Sequence, residues 1–235
     1  ANSAYFGVPS SVTDLNKAIV LLGFSAVRNL TLAACLKSMY RPVFRFGTFT
    51  AESLWLHGVS VAVIGQMLSR RTWPDLAHDV FLAGILHDVG IIVEWNLLPQ
   101  RFEQVVRGFE GMGLSFVEAE KRALGFDHQA CGSAILRQWK LPKDLAYMAR
   151  HHHDPKILPA DLFAEKVGSP QRVLALIQLA ECVCAERGNG FMDQLRDDEV
   201  TGELLAKVGC GWSDYRGVVE TLDAELKRAR SVLAL

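Results

Sequence analysis

The chain has 235 residues, of which 50% are hydrophobic and 22% charged, with a formal net charge of −1 at pH 7. This balance is typical of a folded globular protein and excludes a largely disordered chain. The basic residues are scattered along the chain, which argues against a protein that binds duplex DNA. The apolar stretches are interrupted by His, Gly, Asp or Gln well before the ~18 residues of a membrane span, so we expect no such span.

The cysteines indicate the compartment. They are five in number, contain no C-x-x-C pair and include the buried-helix candidate Cys184. An odd set of this kind favours reduced, buried thiols in a cytoplasmic protein. The opening residues ANSAYFG have neither the charged nor the apolar region of a signal peptide.

The N-terminal third reads as three helices. Asp14 can cap a helix over LNKAIVLL that stops at Gly23, and Ser25 can cap a second helix that ends before Pro42. Thr50 is placed to cap a long third helix, which carries Leu54, His57, Val61 and Ile64 on one stripe.

The middle of the chain continues the helical pattern. A helix that starts near Asp75 carries FLAGILHDVG and should relax or end at Gly90. Ser115 and Asp127 can cap two further helices, and a looser stretch runs from Pro155 to Pro170.

The rest of the chain completes the fold prediction. A clear amphipathic helix follows over QRVLALIQLAECVCAERG, and the last helix should pack the stripe Val218, Leu222 and Leu226 on the domain. About ten helices with short connections and no strand alternation predict an all-α, single multi-helix domain over residues 1–235. We expect its core at about 50–185 and its C-terminal helices at 197–235.

Six of the seven histidines occur in four places: His57, His87, His128 and the run 151–153. A single histidine on an apolar stripe is most often a hydrogen-bonded core residue. The helical periodicity, however, places five of these imidazoles on core-facing sides of their helices. It does the same for the carboxylates of Asp88 and Glu181. Unconnected, such buried groups would be costly, whereas convergence on a divalent metal would offset the cost. The periodicity alone shows that these side chains face the core. It does not show that they lie close to one another.

The order of these residues carries a family resemblance. His57, His87-Asp88, His128, His152-His153 and Glu181 follow the pattern H…HD…H…HH…D/E, which resembles the HD phosphohydrolase superfamily. The segments ANSAYFG, AIVLLGFSAVRNL, FLAGILHDVG, DHQACGSAILRQWKLP and ARHHHDP resemble its HDOD branch, the HD-related output domain of bacterial signalling proteins. The similarity covers residues 1 to about 185.

The resemblance implies a helical fold around one or two divalent ions (Fe, Mn, Zn or Ni). It makes the following residues ligand candidates: His57, His87, Asp88, His128, His152, His153 and Glu181. Glu181 stands where the family usually has Asp. The resemblance also implies helices before ANSAYFG that this sequence does not include.

Two departures bear on catalysis. Active HD-GYP relatives carry HDxGK, and here the lysine position is Ile91; they also carry a GYP signature after the HH pair, and here the chain reads DPKILPADLF. The first hypothesis is therefore a bacterial signal-transduction output module with an HD-type metal site and without HD-GYP catalysis. Its partners would be other signalling domains or proteins, with a nucleotide ligand or a homodimer left open.

Two alternatives stay open. The first is a metal-dependent phosphohydrolase acting on a nucleotide or phosphodiester, in which Asp88 would be the catalytic residue that bridges or orients a water. The second is a DNA-binding regulator built on the helix–Gly–helix at residues 14–40. Its second helix, AVRNLTLAACLKSMY, is too apolar for a recognition helix, so we expect no DNA partner. Trp55 and Trp95 could wall a ligand cleft, but core positions are the stronger prediction.

Overall fold

The computed structural model describes residues 14–40, 49–159, 161–164, 167–188 and 200–233. Within these ranges the regular structure is helical and contains no β-strand, which confirms the all-α prediction. The α-helices are α1 Leu15–Leu22, α2 Phe24–Lys37, α3 Ala51–Thr72, α4 Ala77–Leu86, α5 Val89–Leu97, α6 Pro99–Met112, α7 Phe116–Leu124, α8 His128–Gln138, α9 Lys143–His151, α10 Ser169–Glu186, α11 Gly202–Lys207 and α12 Trp212–Val232. Short 3₁₀ turns span Pro74–Leu76 and Pro155–Ile157.

Local capping chemistry starts several of these helices where the sequence predicts. The side chains of Asp14 and Asp127 accept backbone N–H groups at the starts of α1 and α8. Thr50 and Ser115 form full capping boxes at α3 and α7. The predicted cap at Ser25 is wrong.

The turn between α1 and α2 explains that error. α2 begins at Phe24 because Gly23, with φ of +81°, ends α1 and serves as the N-cap of α2 in a single residue. A positive φ is readily accessible to glycine, so the chain can reverse there without a longer linker. The predicted stop at Pro42 lies outside the described residues.

The HD segment is not one helix. α4 ends at Leu86, His87 and Asp88 form a break, and α5 starts at Val89, so the predicted end at Gly90 is wrong. Gly90 instead lies in the first turn of α5, where a Cβ would come within 2.0 Å of the His128 carbonyl oxygen. The glycine permits α5 to cross α8 backbone to backbone, and this crossing positions the break beside the start of α8.

α3 is the central helix of the core. It packs against α4, α10 and α12, and residues Val59–Ser69 are buried. Its closest crossing is with α4, where a Cβ on Gly84 would lie 2.5 Å from the Ala62 Cα. On α12, the predicted stripe of Val218, Leu222 and Leu226 is buried.

An aromatic cluster closes the core beside α5, α6 and α7. The ring of Phe49 lies 5.2 Å from both Trp95 and Phe102, and Phe102 stacks on Trp95 at 5.6 Å. Trp55 and Trp95 are 2% and 3% exposed, so both are core residues, as predicted.

Two predictions about apolar residues need correction. The segment Pro74–Leu97 is long and apolar enough to cross a membrane by length and composition, contrary to the prediction, although 83% of its apolar window is buried inside the protein. That burial is typical of a core segment. Among the cysteines, Cys182, Cys184 and Cys210 are buried as expected, but Cys35 is exposed.

Candidate metal centre

The seven candidate ligands come from five separate places in the chain and meet at one point. His57 lies on α3, and His87 and Asp88 form the α4–α5 break. His128 is the first residue of α8, while His152 and His153 follow α9 directly. Glu181 lies on α10. Helix ends and one break therefore supply five of the seven side chains.

Asp88 is the centre of the cluster. Its Oδ2 lies 3.1 Å from His87 Nε2 and 3.5 Å from His57 Nε2. Its Oδ1 lies 3.3 Å from His152 Nε2 and 3.6 Å from His128 Nε2. One carboxylate thus faces four imidazoles, two with each oxygen.

The donor atoms fall into overlapping sets. In each set, every ligand atom lies within 4.8 Å of the others, a separation that one metal ion could bridge. The sets are Asp88, His128, His152 and His153; His57, His87 and Asp88; and His87, His152 and Glu181. Asp88 belongs to two of them, so the geometry has room for one ion or for two ions that share a carboxylate.

Backbone carbonyls orient two of the rings. The Nδ1–H of His87 donates to the Gly84 oxygen at 2.7 Å, and the Nδ1–H of His152 donates to the Ala149 oxygen at 3.0 Å. A carbonyl oxygen can only accept, so the proton lies on Nδ1, and a neutral ring has its lone pair on Nε2. In both residues Nε2 faces the centre of the cluster.

The ring nitrogens approach one another closely. His128 Nε2 lies 3.3 Å from His152 Nε2 and 3.1 Å from His153 Nε2. Burial lowers the pKa of His152, which favours a neutral ring whose Nε2 can only accept. Converging nitrogen lone pairs repel each other unless a proton or a cation lies between them.

The negative charges of the cluster also favour a cation among them. Burial lowers the pKa of His87, but Asp88 and Glu181 outweigh it and raise this pKa to about 10. His87 in turn helps to hold the pKa of Asp88 well below its usual range, against the opposing effect of burial. Two carboxylates around the wholly buried His87 side chain therefore require positive charge in the same volume.

The unsatisfied atoms support a metal ion. His87 Nε2 and Asp88 Oδ1 are buried, and among the described residues neither makes a well-aligned hydrogen bond, although each lies within 3.3 Å of another member of the cluster. Buried polar atoms in native proteins usually have a partner. Imidazole nitrogens and carboxylate oxygens are natural ligands of divalent transition metals, so the donor set fits such an ion.

Sequence reasoning missed two buried acids behind His128. Glu120 on α7 is 0% exposed; its carboxyl group accepts the backbone N–H of His128 at 3.0 Å and lies 2.8 Å from the ring Nδ1. Glu94 on α5 is 1% exposed. Burial raises the pKa of Glu94 to about 10 and that of Glu120 to about 8.

A signal for both acids was present in the sequence. Glu120 lies four residues from both Phe116 and Leu124 on the buried face of α7, and Glu94 interrupts the apolar run IIVEW. A carboxylate at such a position is costly without a partner. The test that identified Glu181 therefore applies to Glu94 and Glu120 as well.

Comparison with known proteins agrees with the fold and with the family resemblance. The HDOD domain model matches residues 1–155. An HDOD domain protein of unknown function from Geobacter sulfurreducens superposes with a TM-score of 0.77 at 21% identity, covering 100% of this chain and 80% of that one. No curated protein sequence matches the chain.

Two further solved structures share the fold. A candidate signal transduction protein from Marinobacter aquaeolei VT8 has a TM-score of 0.73 at 22% identity, with coverage of 100% of this chain and 49% of that one. A candidate metal-dependent phosphohydrolase from Shewanella amazonensis SB2B has a TM-score of 0.64 at 14% identity, with coverage of 99% and 77%. At these identities the similarity establishes the fold alone. The family match over residues 1–155 shows that the chain belongs to the HDOD domain family, within the HD-type helical fold.

Proposed function

We propose that this chain is a signal-transduction output module whose buried histidine–carboxylate cluster binds one or two divalent metal ions. The observation that carries the proposal is the position of Asp88, whose two oxygens each face a separate pair of imidazoles. A carboxylate in that position can ligate on both sides. The ligands would be His57, His87, Asp88, His128, His152, His153 and Glu181.

The types of ligand atom limit the identity of the metal but do not select a single one. Imidazole and carboxylate together suit Fe, Mn, Zn or Ni, whereas a site of oxygen ligands alone would suit Mg or Ca. His57, His87 and Glu181 would serve one side of Asp88. His128, His152 and His153 would serve the other side.

A regulatory rather than HD-GYP-type catalytic role is supported by what surrounds the cluster. The position of the family's phosphate-neutralising lysine is Ile91, which is 1% exposed and part of the core. The side chains of His87 and His152 are 0% exposed. A metal held among such side chains would tie α3, α4, α8, α9 and α10 together and act as a structural element.

A metal-dependent phosphohydrolase is the second candidate. His57 and Asp88 each keep 11% of their side-chain surface exposed, and His153 is partly exposed, so one edge of the cluster reaches solvent. A bound divalent ion would supply the positive charge that activates a water and stabilises a phosphoryl group. Asp88 would orient that water as the catalytic residue, and the substrate would be a nucleotide or phosphodiester.

We further propose a cytoplasmic protein whose partners are other signalling domains or proteins. A nucleotide ligand and a homodimer are compatible with this role. DNA and membranes are not expected partners, because the net charge is −1 and the apolar α4–α5 segment is buried in the core.

Metal content tests the proposal. Untagged protein, purified without chelator, is analysed by mass spectrometry of its metals beside His87→Ala/Asp88→Ala and the milder His57→Ala. His78→Ala is the matched control, because His78 is an exposed histidine away from the cluster. Near-stoichiometric metal in the parent and His78→Ala, reduced in the other two variants, supports the metal site; absence of metal in the parent refutes it.

The same samples distinguish the two functions. Each is assayed against generic phosphodiester and nucleotide substrates, with circular dichroism to confirm folding. Bound metal without turnover supports the output module. Turnover that disappears in His87→Ala/Asp88→Ala would make the protein a phosphohydrolase and refute the regulatory reading.

A further inference from the structure

The buried Glu120 carboxyl group contacts both the ring and the backbone nitrogen of His128. Glu120 Oε2 lies 2.8 Å from the ring Nδ1 and 3.0 Å from the backbone nitrogen, and Oε1 lies 2.9 Å from the same Nδ1. The Glu120 side chain is wholly buried, so no solvent competes for these bonds. Glu120 therefore fixes both the first peptide N–H of α8 and the plane of the imidazole.

The contact has a direct consequence for the opposite side of the ring. Above the Glu120 pKa of about 8 its carboxylate can only accept, so the ring proton then lies on Nδ1 and the lone pair lies on Nε2. His128 Nε2 faces Asp88 Oδ1 at 3.6 Å, His152 at 3.3 Å and His153 at 3.1 Å. A ring protonated on Nε2 would turn an N–H, instead of a lone pair, towards the cluster, and a ring flipped by 180° would turn a C–H there.

Glu94 completes the arrangement as a neutral neighbour. It is buried beside Glu120, and its protonated carboxyl group shares a side-chain hydrogen bond with the Glu120 carboxylate. Two adjacent buried carboxylates repel each other, so one of them keeps its proton. Glu120 already accepts two N–H groups and is the better place for the negative charge, which leaves the proton on Glu94.

We propose that Glu120 is a positioning residue that holds His128 with its Nε2 towards the metal. The role in metal binding rests on the proposed function of the cluster. The orientation of the ring does not, because it is a property of the metal-free protein. Carboxylates that orient a ligating histidine typically change metal affinity 10–100-fold when they are removed.

The test compares three Glu→Gln variants of the full chain. Zn²⁺ affinity is measured by competition with a chromophoric chelator for Glu120→Gln, Glu94→Gln and Glu118→Gln. Glu118 is the matched control, since it lies on the same helix, faces solvent, and a glutamine preserves its capping box with Ser115. We expect Glu120→Gln to bind Zn²⁺ roughly 10–100-fold more weakly and the other two variants to stay within about 2-fold of the parent.

A second readout follows the ring itself. Long-range ¹⁵N–¹H NMR of histidine-labelled, metal-free protein, recorded above the Glu120 pKa of about 8, shows which nitrogen of His128 carries the proton. The parent and Glu118→Gln should show it on Nδ1, and Glu120→Gln should show a mixture of both tautomers. A purely space-filling role for Glu120 would leave this spectrum unchanged.

The outcomes separate the two proposals. If the parent binds no Zn²⁺, the metal function fails, while the NMR spectrum still tests the positioning role. If Glu120→Gln keeps both the parent's affinity and its tautomer, the positioning role is overturned. If Glu120→Gln does not fold, Glu120→Asp, which keeps the charge but withdraws it from the ring, should show the same tautomer mixture, and an unchanged tautomer there overturns the proposal.

Discussion

Replacing Glu94 with glutamine should stabilise the protein, and the gain should grow with pH. Glu94 is 1% exposed, and burial raises its pKa from an ordinary value of 4.5 to about 10. The folded protein therefore keeps a proton on Glu94 that the unfolded chain releases above the ordinary value. Glutamine has nearly the same shape as the protonated acid and has no proton to lose.

The sign and size follow from this difference in proton binding. Between about pH 4.5 and 10 the folded state binds more protons than the unfolded state, so this group lowers the free energy of unfolding as pH rises. The slope is about 1.4 kcal/mol per pH unit for one full proton. At neutral pH, Glu94→Gln should therefore raise the free energy of unfolding by roughly 3 kcal/mol. Imperfect hydrogen bonding of the new amide would reduce this gain.

Urea unfolding across a pH series measures the effect. The difference in unfolding free energy between Glu94→Gln and the parent should be small near about pH 5 and should widen by roughly 2–3 kcal/mol between about pH 6 and pH 8. Measurements are made in chelator, so that metal binding does not enter the comparison. Contributions from titrating groups that do not interact with Glu94 cancel in the difference.

A pH-independent difference would refute the reasoning, because it would mean that Glu94 is equally charged in both states. Glu110→Gln is the matched control: Glu110 is exposed on α6, so its charge stays solvated whether the chain is folded or not. The control difference should be flat with pH. A slope in Glu110→Gln equal to that in Glu94→Gln would show that the effect arises from net charge.

Three further predictions concern packing and caps, each checked by urea or thermal unfolding. Gly90→Ala should destabilise the protein by roughly 3 kcal/mol or more, because the new Cβ would lie 2.0 Å from the His128 carbonyl oxygen. The control Gly111→Ala, whose Cβ would meet nothing within 4 Å, should be neutral or slightly stabilising. Equal effects of the two substitutions would contradict the close crossing of α5 and α8. Phe102→Ala, which opens the aromatic cluster at a 0% exposed position, should lose about 3–5 kcal/mol, and a loss under about 1 kcal/mol would mean that the cluster is loosely packed. Ser115→Ala should lose about 1 kcal/mol by removing one half of the capping box, and no loss would show that the cap is redundant.

Local sequence signals predicted the parts of the fold that local chemistry decides. The caps at Thr50 and Ser115 follow from a side chain that reaches its own helix a few residues later. The break at His87 and Asp88 depends instead on α8, which is distant in the chain and approaches Gly90 closely. A glycine that permits close packing and one that ends a helix look the same in sequence.

The candidate site was predictable in membership but not in arrangement. Helical phase turned Asp88 and its histidines inward, yet only the folded chain shows which atoms face which. Glu94 and Glu120 were not predicted, because neither belongs to the histidine pattern from which the ligand set follows. Their connection to His128 spans three helices, and no spacing along the chain encodes it.

The contact between Gly90 and His128 also has a mechanical consequence. Because Gly90 has no side chain, the main chains of α5 and α8 lie in direct contact, and neither helix can slide without displacing the other. Asp88 immediately precedes α5 and His128 opens α8, so any load applied to one helix reaches both residues at once.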